Sequence, residues 1–546
     1  MGMMRYRVHA LFRRFIRTVL LLLPLGISTA AVAQDSRYVL LTLLHTNDIH
    51  ARVLSGSNLN DESRGGLARL ASLVKQIRAE MPNVLLFDSG DWASGTVEAY
   101  LTSGRSIAQA ISSLGYNAVC IGNHEFDWGQ ENARELLKSL RTPVVCANLL
   151  DAATGKPWGE LKPYLLMTVN GVRIAVFGLI TLETLKYEWP SFLEGLRFED
   201  PIATAAKLVP ELRKQADLVI LLSHLGLKLD QQLAAAVPGI DIILGGHSHD
   251  NVTTRMFVGN TLIAQTGYHV ERLGRVDLIL KKADRPTADG RLYTIESING
   301  RGGRWWGLQI RAPLGVSYPQ SPSIPIDGSI QPDEEMLAAY EPHRRLARRA
   351  VEEVLTALDV DVPDSDGGAP GDTPLSRFLA DRLREATDTE IALVDGKVRG
   401  RLQAGPLTAG RLWSVLGGYT AQNVVRLKVK GSALLQALEQ WAGAAQDLAV
   451  GVSGLRVVYS PARPAGERIL EVKVNGEPLD PEREYTVSGL AYVIQRFQSL
   501  MSGSVLDNHM GWSRELISKA VRGAGGGVAA DPYPRLVSEG APVSTG

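Results

Sequence analysis

The sequence predicts an α/β layered fold, sheet sandwiched by helices, joined to a smaller and separate α+β domain. Three observations carry that prediction. The chain has 546 residues, too many for one ordinary hydrophobic core, so two domains are the default. From residue 38 to about 280, short apolar runs alternate with amphipathic, helix-like stretches. Beyond a stretch rich in Pro and Gly, helices and strands mix in a different rhythm.

The first apolar runs fall at 39–44, 84–87, 118–121, 144–146, 174–179, 218–222, 240–244 and 262–264. Helices are expected between them at 67–80, 107–114, 132–140 and 202–215. Near-continuous apolar runs read as strands covered on both faces, which calls for helices outside the sheet. The Pro- and Gly-rich stretch, 300–332, contains Trp305-Trp306, read as packing at a domain junction. Asp333 reads as the N-cap of a charged helix running towards Leu355, which Pro342 should kink or interrupt. Polar on most faces, that helix suits a bridge between domains, its charged residues forming a solvated face. In the second half, helices at 375–386 and 432–441 accompany strands at 391–394, 424–429, 455–459 and 485–487. A tail containing Gly525-Gly-Gly527 reads as flexible.

The N-terminus has its own character. Arg5, Arg7, Arg13, Arg14 and Arg17 precede an apolar stretch, 18–33, that ends in Ala31-Val-Ala33. This is the pattern of a secretory signal peptide cleaved after Ala33, and it is short for a membrane anchor. No stable membrane anchor is expected after cleavage, and the expected location is periplasmic or secreted. The expected partition is therefore 1–33 leader, 34–300 first domain, 301–355 junction and bridging helix, 356–520 second domain and 521–546 tail. With 58 basic against 58 acidic residues, nothing points to a nucleic-acid polymer as partner. Cys120 and Cys146, the only cysteines, lie inside apolar runs and read as two buried thiols and not a disulfide scaffold, with a bridge between them left open by export.

The chemistry lies in where certain polar residues fall. Asp48 and His50 follow the first run, and Asp91 follows the second. Asn123 and His124 follow the third, His224 follows 218–222, and His247 and His249 follow 240–244. Five of the ten histidines sit in these turns. Sites in α/β sheets gather at the carboxyl ends of strands. Asp48, His50, Asp91, Asn123, His224, His247 and His249 offer imidazole, carboxylate and amide oxygen but no thiolate, a set suited to Zn, Mn, Fe or Co. Seven candidates exceed the needs of one tetrahedral ion and suffice for two divalent ions sharing a carboxylate such as Asp91. Such a pair activates water and stabilises charge on attacking and leaving oxygens, as phosphoester hydrolysis requires.

These blocks, Leu44-His-Thr-Asn-Asp-Ile-His50, Gly90-Asp91, Gly122-Asn-His-Glu-Phe-Asp127, the His224 turn and Gly245-Gly-His-Ser-His249, resemble the signature of the calcineurin-like metallophosphoesterases. Their fuller forms are similar to the 5′-nucleotidase family. The resemblance implies a β-sandwich catalytic domain flanked by helices, then a substrate-specificity domain. It assigns Asp48, His50, Asp91 and His249 to one ion, and Asp91, Asn123, His224 and His247 to the other. His124 and Asp127 resemble the family's catalytic dyad, Asp127 orienting the imidazole. In the second domain, Asp395-Gly-Lys-Val-Arg399 stands where the family has a longer pocket loop; Arg399 matches its substrate-binding Arg. Tyr419 is the candidate base-stacking ring, with Tyr492 or Phe497 as substitutes. The expected partner is a small phosphoester, a nucleoside monophosphate or a relative. The alternatives are a non-nucleotide phosphoester, a thiosulfate-type ester, or a ligand-binding relative without turnover.

Other polar residues carry structural expectations. His45 reads as a hydrogen-bonded structural histidine, Asp88 as closing its own turn, and Glu125 as capping the helix that follows. His9, His269, His343 and His509 fall outside every block.

Overall fold

The structure, a computed structural model, describes residues 37–54, 64–298, 323–365, 369–416, 422–524 and 531–539. The leader, Trp305-Trp306 and Tyr419 lie outside the described residues.

Two sheets face each other in the first domain. One has the order Tyr293–Ile298, Arg272–Lys282, Tyr38–Thr46, Val84–Asp88, Ala118–Cys120, Val144–Val145, with Ser323–Pro325 paired to Arg272–Lys282. The other runs Met256–Val258, Thr261–Ala264, Ile242–Gly245, Leu218–His224, Val172–Ile180, Tyr164–Val169. Strand periodicity explains the layering. Side chains alternate across a strand, so Leu41 and Leu43 enter the core between the sheets while Leu40 and Leu44 pack under the outer helices. Leu85 and Phe87 against Leu86, and Ile220 and Leu222 against Val219 and Leu221, divide in the same way. Helix Leu67–Glu80 buries Leu70, Leu73, Val74 and Ile77 on one stripe, at the spacing that keeps an amphipathic helix on a core.

The strands starting at Tyr38, Val84, Ala118 and Val144 are parallel, as are those starting at Val172, Leu218, Ile242 and Thr261. Their carboxyl ends therefore open on a common edge. The antiparallel strands Tyr164–Val169, Arg272–Lys282 and Tyr293–Ile298 had no counterpart among the expected runs.

The charged helix is Glu334–Glu352, with Asp333 accepting a hydrogen bond from Met336 N, 3.0 Å. It continues through Pro342 without interruption. Its solvated-face reading is corrected on one side: Met336 and Tyr340 join the first domain's core and Ala347 joins the second's. The second domain carries a five-stranded sheet, Val450–Ser453, Ile391–Asp395, Glu484–Leu490, Asn423–Lys430, Ser504–Trp512. The tail expectation is corrected as well. Helix Ser513–Gly523 runs past residue 521, and Leu536–Ser538 pairs in parallel with Leu455–Tyr459. Arg535 anchors that strand on Asp381, 2.8 Å. Cys120 and Cys146 are free and buried. Among the described residues no helix is long and apolar enough to cross a membrane.

His45 departs from its expectation. It is fully buried, and neither ring nitrogen has a hydrogen-bond partner. Its ring lies flat on Gly274, where a Cβ would come within 2.0 Å of Nε2. Burial pushes the imidazole down to about 3. Its folded value thus lies below its unfolded one, so this group costs no stability above pH 6.5 and lowers stability progressively as pH falls from 6.5 to 3. A shift of about three and a half units corresponds to on the order of 5 kcal/mol. His45→Phe is expected to flatten the fall in urea midpoint between pH 7 and pH 4; an unchanged slope would contradict this account.

Candidate metal centre

Six of the seven residues expected at strand ends, Asp48, His50, Asp91, His224, His247 and His249, converge at the common edge. Potential ligand atoms of Asp48, His50 and His249 lie within 4.8 Å of one another, and so do those of Asp91, His224 and His247. A third such group, His50, Asp91 and His124, links the two. Asp48, His50, Asp91, His247 and His249 all have positive φ, between 46° and 76°. Such backbone is unfavourable for side-chain-bearing residues and persists where surrounding structure enforces it, often at functional sites. The backbone supplies part of that enforcement: Asp48 N donates to Gly90 O and His50 N to Asp91 O, both at 3.0 Å. Gly122 permits the close approach, since a Cβ there would sit 2.2 Å from Asp91 Oδ1 and 2.7 Å from His224 Nε2.

Several donor atoms have no protein partner of the ordinary kind. Asn123 Oδ1 and His224 Nε2 are buried without a hydrogen bond. His224 Nε2 stands 3.1 Å from Asp91 Oδ2. Its other nitrogen, Nδ1, donates to Ser89 O at 2.8 Å, which leaves Nε2 with its lone pair turned to the carboxylate. His50 repeats the pattern: Nδ1 faces Ser94 O at 3.3 Å, while Nε2 meets His249 Nε2 at 3.0 Å. Buried polar atoms are normally satisfied, and lone pairs turned on one another call for a cation. Imidazole nitrogens, carboxylates and one amide oxygen fit divalent metal ions.

The electrostatics likewise favour positive charge between these groups. Burial alone would raise the Asp91 carboxyl, but His224, His124 and His50 hold it well below the usual carboxylate range. Burial opposes charge on His224, yet Asp91 lifts it to about 9. Burial pushes His50 down to about 4, helped by His124. His124 is opposed by burial and still rises well above the usual imidazole value, through Asp127 and Asp91. Its Nδ1 lies 2.9 Å from Asp127 Oδ1, and its backbone N donates to Asp91 Oδ1. Asp127 also accepts from the Ser94 hydroxyl.

Other expectations divide. Asp88 accepts from Gly90 N and Thr46 Oγ1, closing its turn. Glu125 caps a loop and not its helix: its carboxylate receives the backbone N–H groups of Asp91, Trp92, Ala93 and Gly122. Burial, with Asp91 close by, lifts its carboxyl to about 7. Arg399 lies exposed in the turn after Ile391–Asp395. Phe497 is buried in the second domain's core, and the Tyr492 hydroxyl donates to Asp395 Oδ2, 2.9 Å.

Sequence reasoning missed four residues around this centre. Asn47 donates to Asp48 Oδ2 (2.7 Å) and Gly267 O, fixing the carboxylate. His269 meets His50 edge to face, its imidazole pushed down to about 2 by burial and by Arg52, His50 and His249. Glu183 holds His247 at 2.9 Å. Glu188, buried beside Asp127, has its carboxyl raised well above the usual range by burial and by Asp127. A signal existed for Glu183, which stands four residues beyond the apolar run expected at 174–179.

The layered sandwich and the convergent edge define a class, the calcineurin-like phosphoesterases, and residues 41–251 match that family's model. Residues 354–500 match the 5′-nucleotidase C-terminal domain. The chain carries both matches in that order, and the proteins it resembles include 5′-nucleotidases. It is 36% identical to a 5′-nucleotidase of Bos taurus over 232 residues, which are 40% of this chain and 39% of that protein. The chain thus spans about two-fifths of that relative's length. With a 5′-nucleotidase of Vibrio cholerae the match is 28% over 430 residues, covering 70% of this chain and 73% of the other. The crystal structure of a 5′-nucleotidase precursor from Thermus thermophilus superposes with a TM-score of 0.64 at 25% identity, over 92% of this chain and all of that one.

Proposed function

We propose that this chain is an exported hydrolase that releases phosphate from nucleoside monophosphates or closely related small phosphoesters. The observation that carries the proposal is the meeting of Asp91 with the unpartnered, buried Nε2 of His224. In this reading Asp48, His50, Asp91 and His249 hold one divalent ion, and Asp91, Asn123, His224 and His247 the other. When bound, the pair supplies Lewis-acid charge and water activation near neutral pH.

The chain's own residues do the rest. Asp127 holds His124 Nδ1–H, which fixes the tautomer and leaves Nε2 to meet the phosphate or the leaving oxygen. A protonated His124 stabilises developing charge there and can pass its proton to the leaving group. Ser94 and Glu188 keep Asp127 in place. Arg399, exposed and without an ion-pair partner among the described residues, is the side chain offered to the substrate by the second domain.

The test is phosphate release from a panel of AMP, UDP-glucose, 2′,3′-cyclic AMP and an aryl phosphate, with manganese or zinc present. AMP is expected to turn over with the highest kcat/KM. Turnover of aryl phosphate alone would move the natural substrate away from nucleotides. Binding of AMP without release of phosphate from any compound would refute the enzyme reading.

A further inference from the structure

The histidines around the centre are aimed in two different ways. His50 and His224 are held by backbone carbonyls, Ser94 O at 3.3 Å and Ser89 O at 2.8 Å. His247 is held instead by a side chain, its Nε2 lying 2.9 Å from Glu183 Oε2. Glu183 is itself well fixed. It leads into the one-turn helix Thr184–Tyr187, its carbonyl accepts from Lys186 N and Tyr187 N, and its own N donates to Thr181 Oγ1. Its side chain is 44% exposed, and Lys186, 73% exposed, touches its other oxygen at 3.5 Å. The same segment runs on to the second domain. Glu188 O accepts from Gln495 Nε2 at 2.7 Å, and Trp189 Nε1 donates to Asn508 Oδ1 at 2.8 Å.

We propose that Glu183 is a positioning residue that aims and polarises His247, on which binding of one of the two ions depends. The proposal rests on the reading that His247 holds an ion. A carboxylate can only accept from Nε2–H, so the contact selects one tautomer and places the ring's lone pair on Nδ1. With Nε2 taken by Glu183, Nδ1 is the nitrogen free to serve the group that His247 forms with Asp91 and His224. The negative charge also makes the imidazole a stronger donor, and partners of this kind are typically worth about 10- to 100-fold in metal affinity. Because a side chain supplies the contact, substitution can remove it, unlike the carbonyls behind His50 and His224.

The experiment uses the full chain loaded with manganese and dialysed against graded chelator, with ions per chain read by elemental analysis. Wild type, Glu183→Ala, Glu183→Gln and Lys186→Ala are compared. Glu183→Ala should lose one ion at a chelator concentration about 10- to 100-fold lower than wild type, while the second ion stays. Glu183→Gln, whose amide oxygen still accepts from Nε2–H, should recover most of that loss, and Lys186→Ala should match wild type. Melting midpoints of the metal-free proteins should agree, which separates aiming from folding. A Glu183→Ala protein that keeps both ions as tightly as wild type overturns the proposal and leaves the two-ion reading intact. Loss of both ions together with a lower metal-free midpoint also overturns it, because that marks a folding defect. A wild type that binds no ions sinks both readings.

Discussion

Asp91→Asn is expected to lower phosphate release by roughly a thousandfold or more and to leave the protein short of at least one bound ion. Asp91 is the carboxylate common to both proposed ion sites, with one oxygen 3.1 Å from His224 Nε2 and the other receiving His124 N at 2.9 Å. Asparagine keeps the shape but gives up the charge that His224, His124 and His50 surround. An ion contributes several kcal/mol of charge stabilisation in the transition state, and each 1.4 kcal/mol or so is a factor of ten in rate. Loss of an ion therefore accounts for the expected drop. Elemental analysis with phosphate-release kinetics is the check, and the circular dichroism spectrum should be unchanged. Two ions and near-normal turnover in this variant would remove Asp91 from the account.

His124→Ala is the complementary case. It removes none of the seven proposed ligands, so two ions should remain, while kcat falls by roughly a hundredfold or more with KM little changed. The expectation follows from geometry: Asp127 fixes one ring nitrogen and the other is left for the substrate. The side chain is partly open, 28% exposed, as a group meeting substrate must be. Loss of metal in His124→Ala would show instead that His124 works as a ligand, which its place beside His50 and Asp91 would permit.

Much of this centre was legible in the sequence for a definite reason. Metal-type side chains at the ends of successive parallel strands are brought together by the sheet itself, so residue type and position along the chain were sufficient. The same argument extended to Val172–Ile180 would have reached Glu183. Asn47, Glu125 and Glu188 were beyond it, because their partners lie elsewhere in the chain: Gly267 O for Asn47, the Asp91–Ala93 backbone for Glu125, and Asp127 for Glu188. No spacing rule encodes such contacts. His45 misled for another reason: a histidine in a strand was assumed to find a partner, but it packs on Gly274 without one. Strand Tyr164–Val169 was missed because it leaves side chains partly open and so lacks a fully apolar run. In the tail, the glycines drew attention away from Arg535, whose ion pair with Asp381 secures the last strand.

The central claim is that these seven side chains hold two divalent ions on which hydrolysis depends. The most direct test is elemental analysis of the purified chain alongside phosphate release from AMP, before chelation, after it, and after manganese is returned. The account predicts about two ions per chain, lost together with activity and regained together. Full activity in chelated protein, or manganese-loaded protein holding no ions, would contradict it.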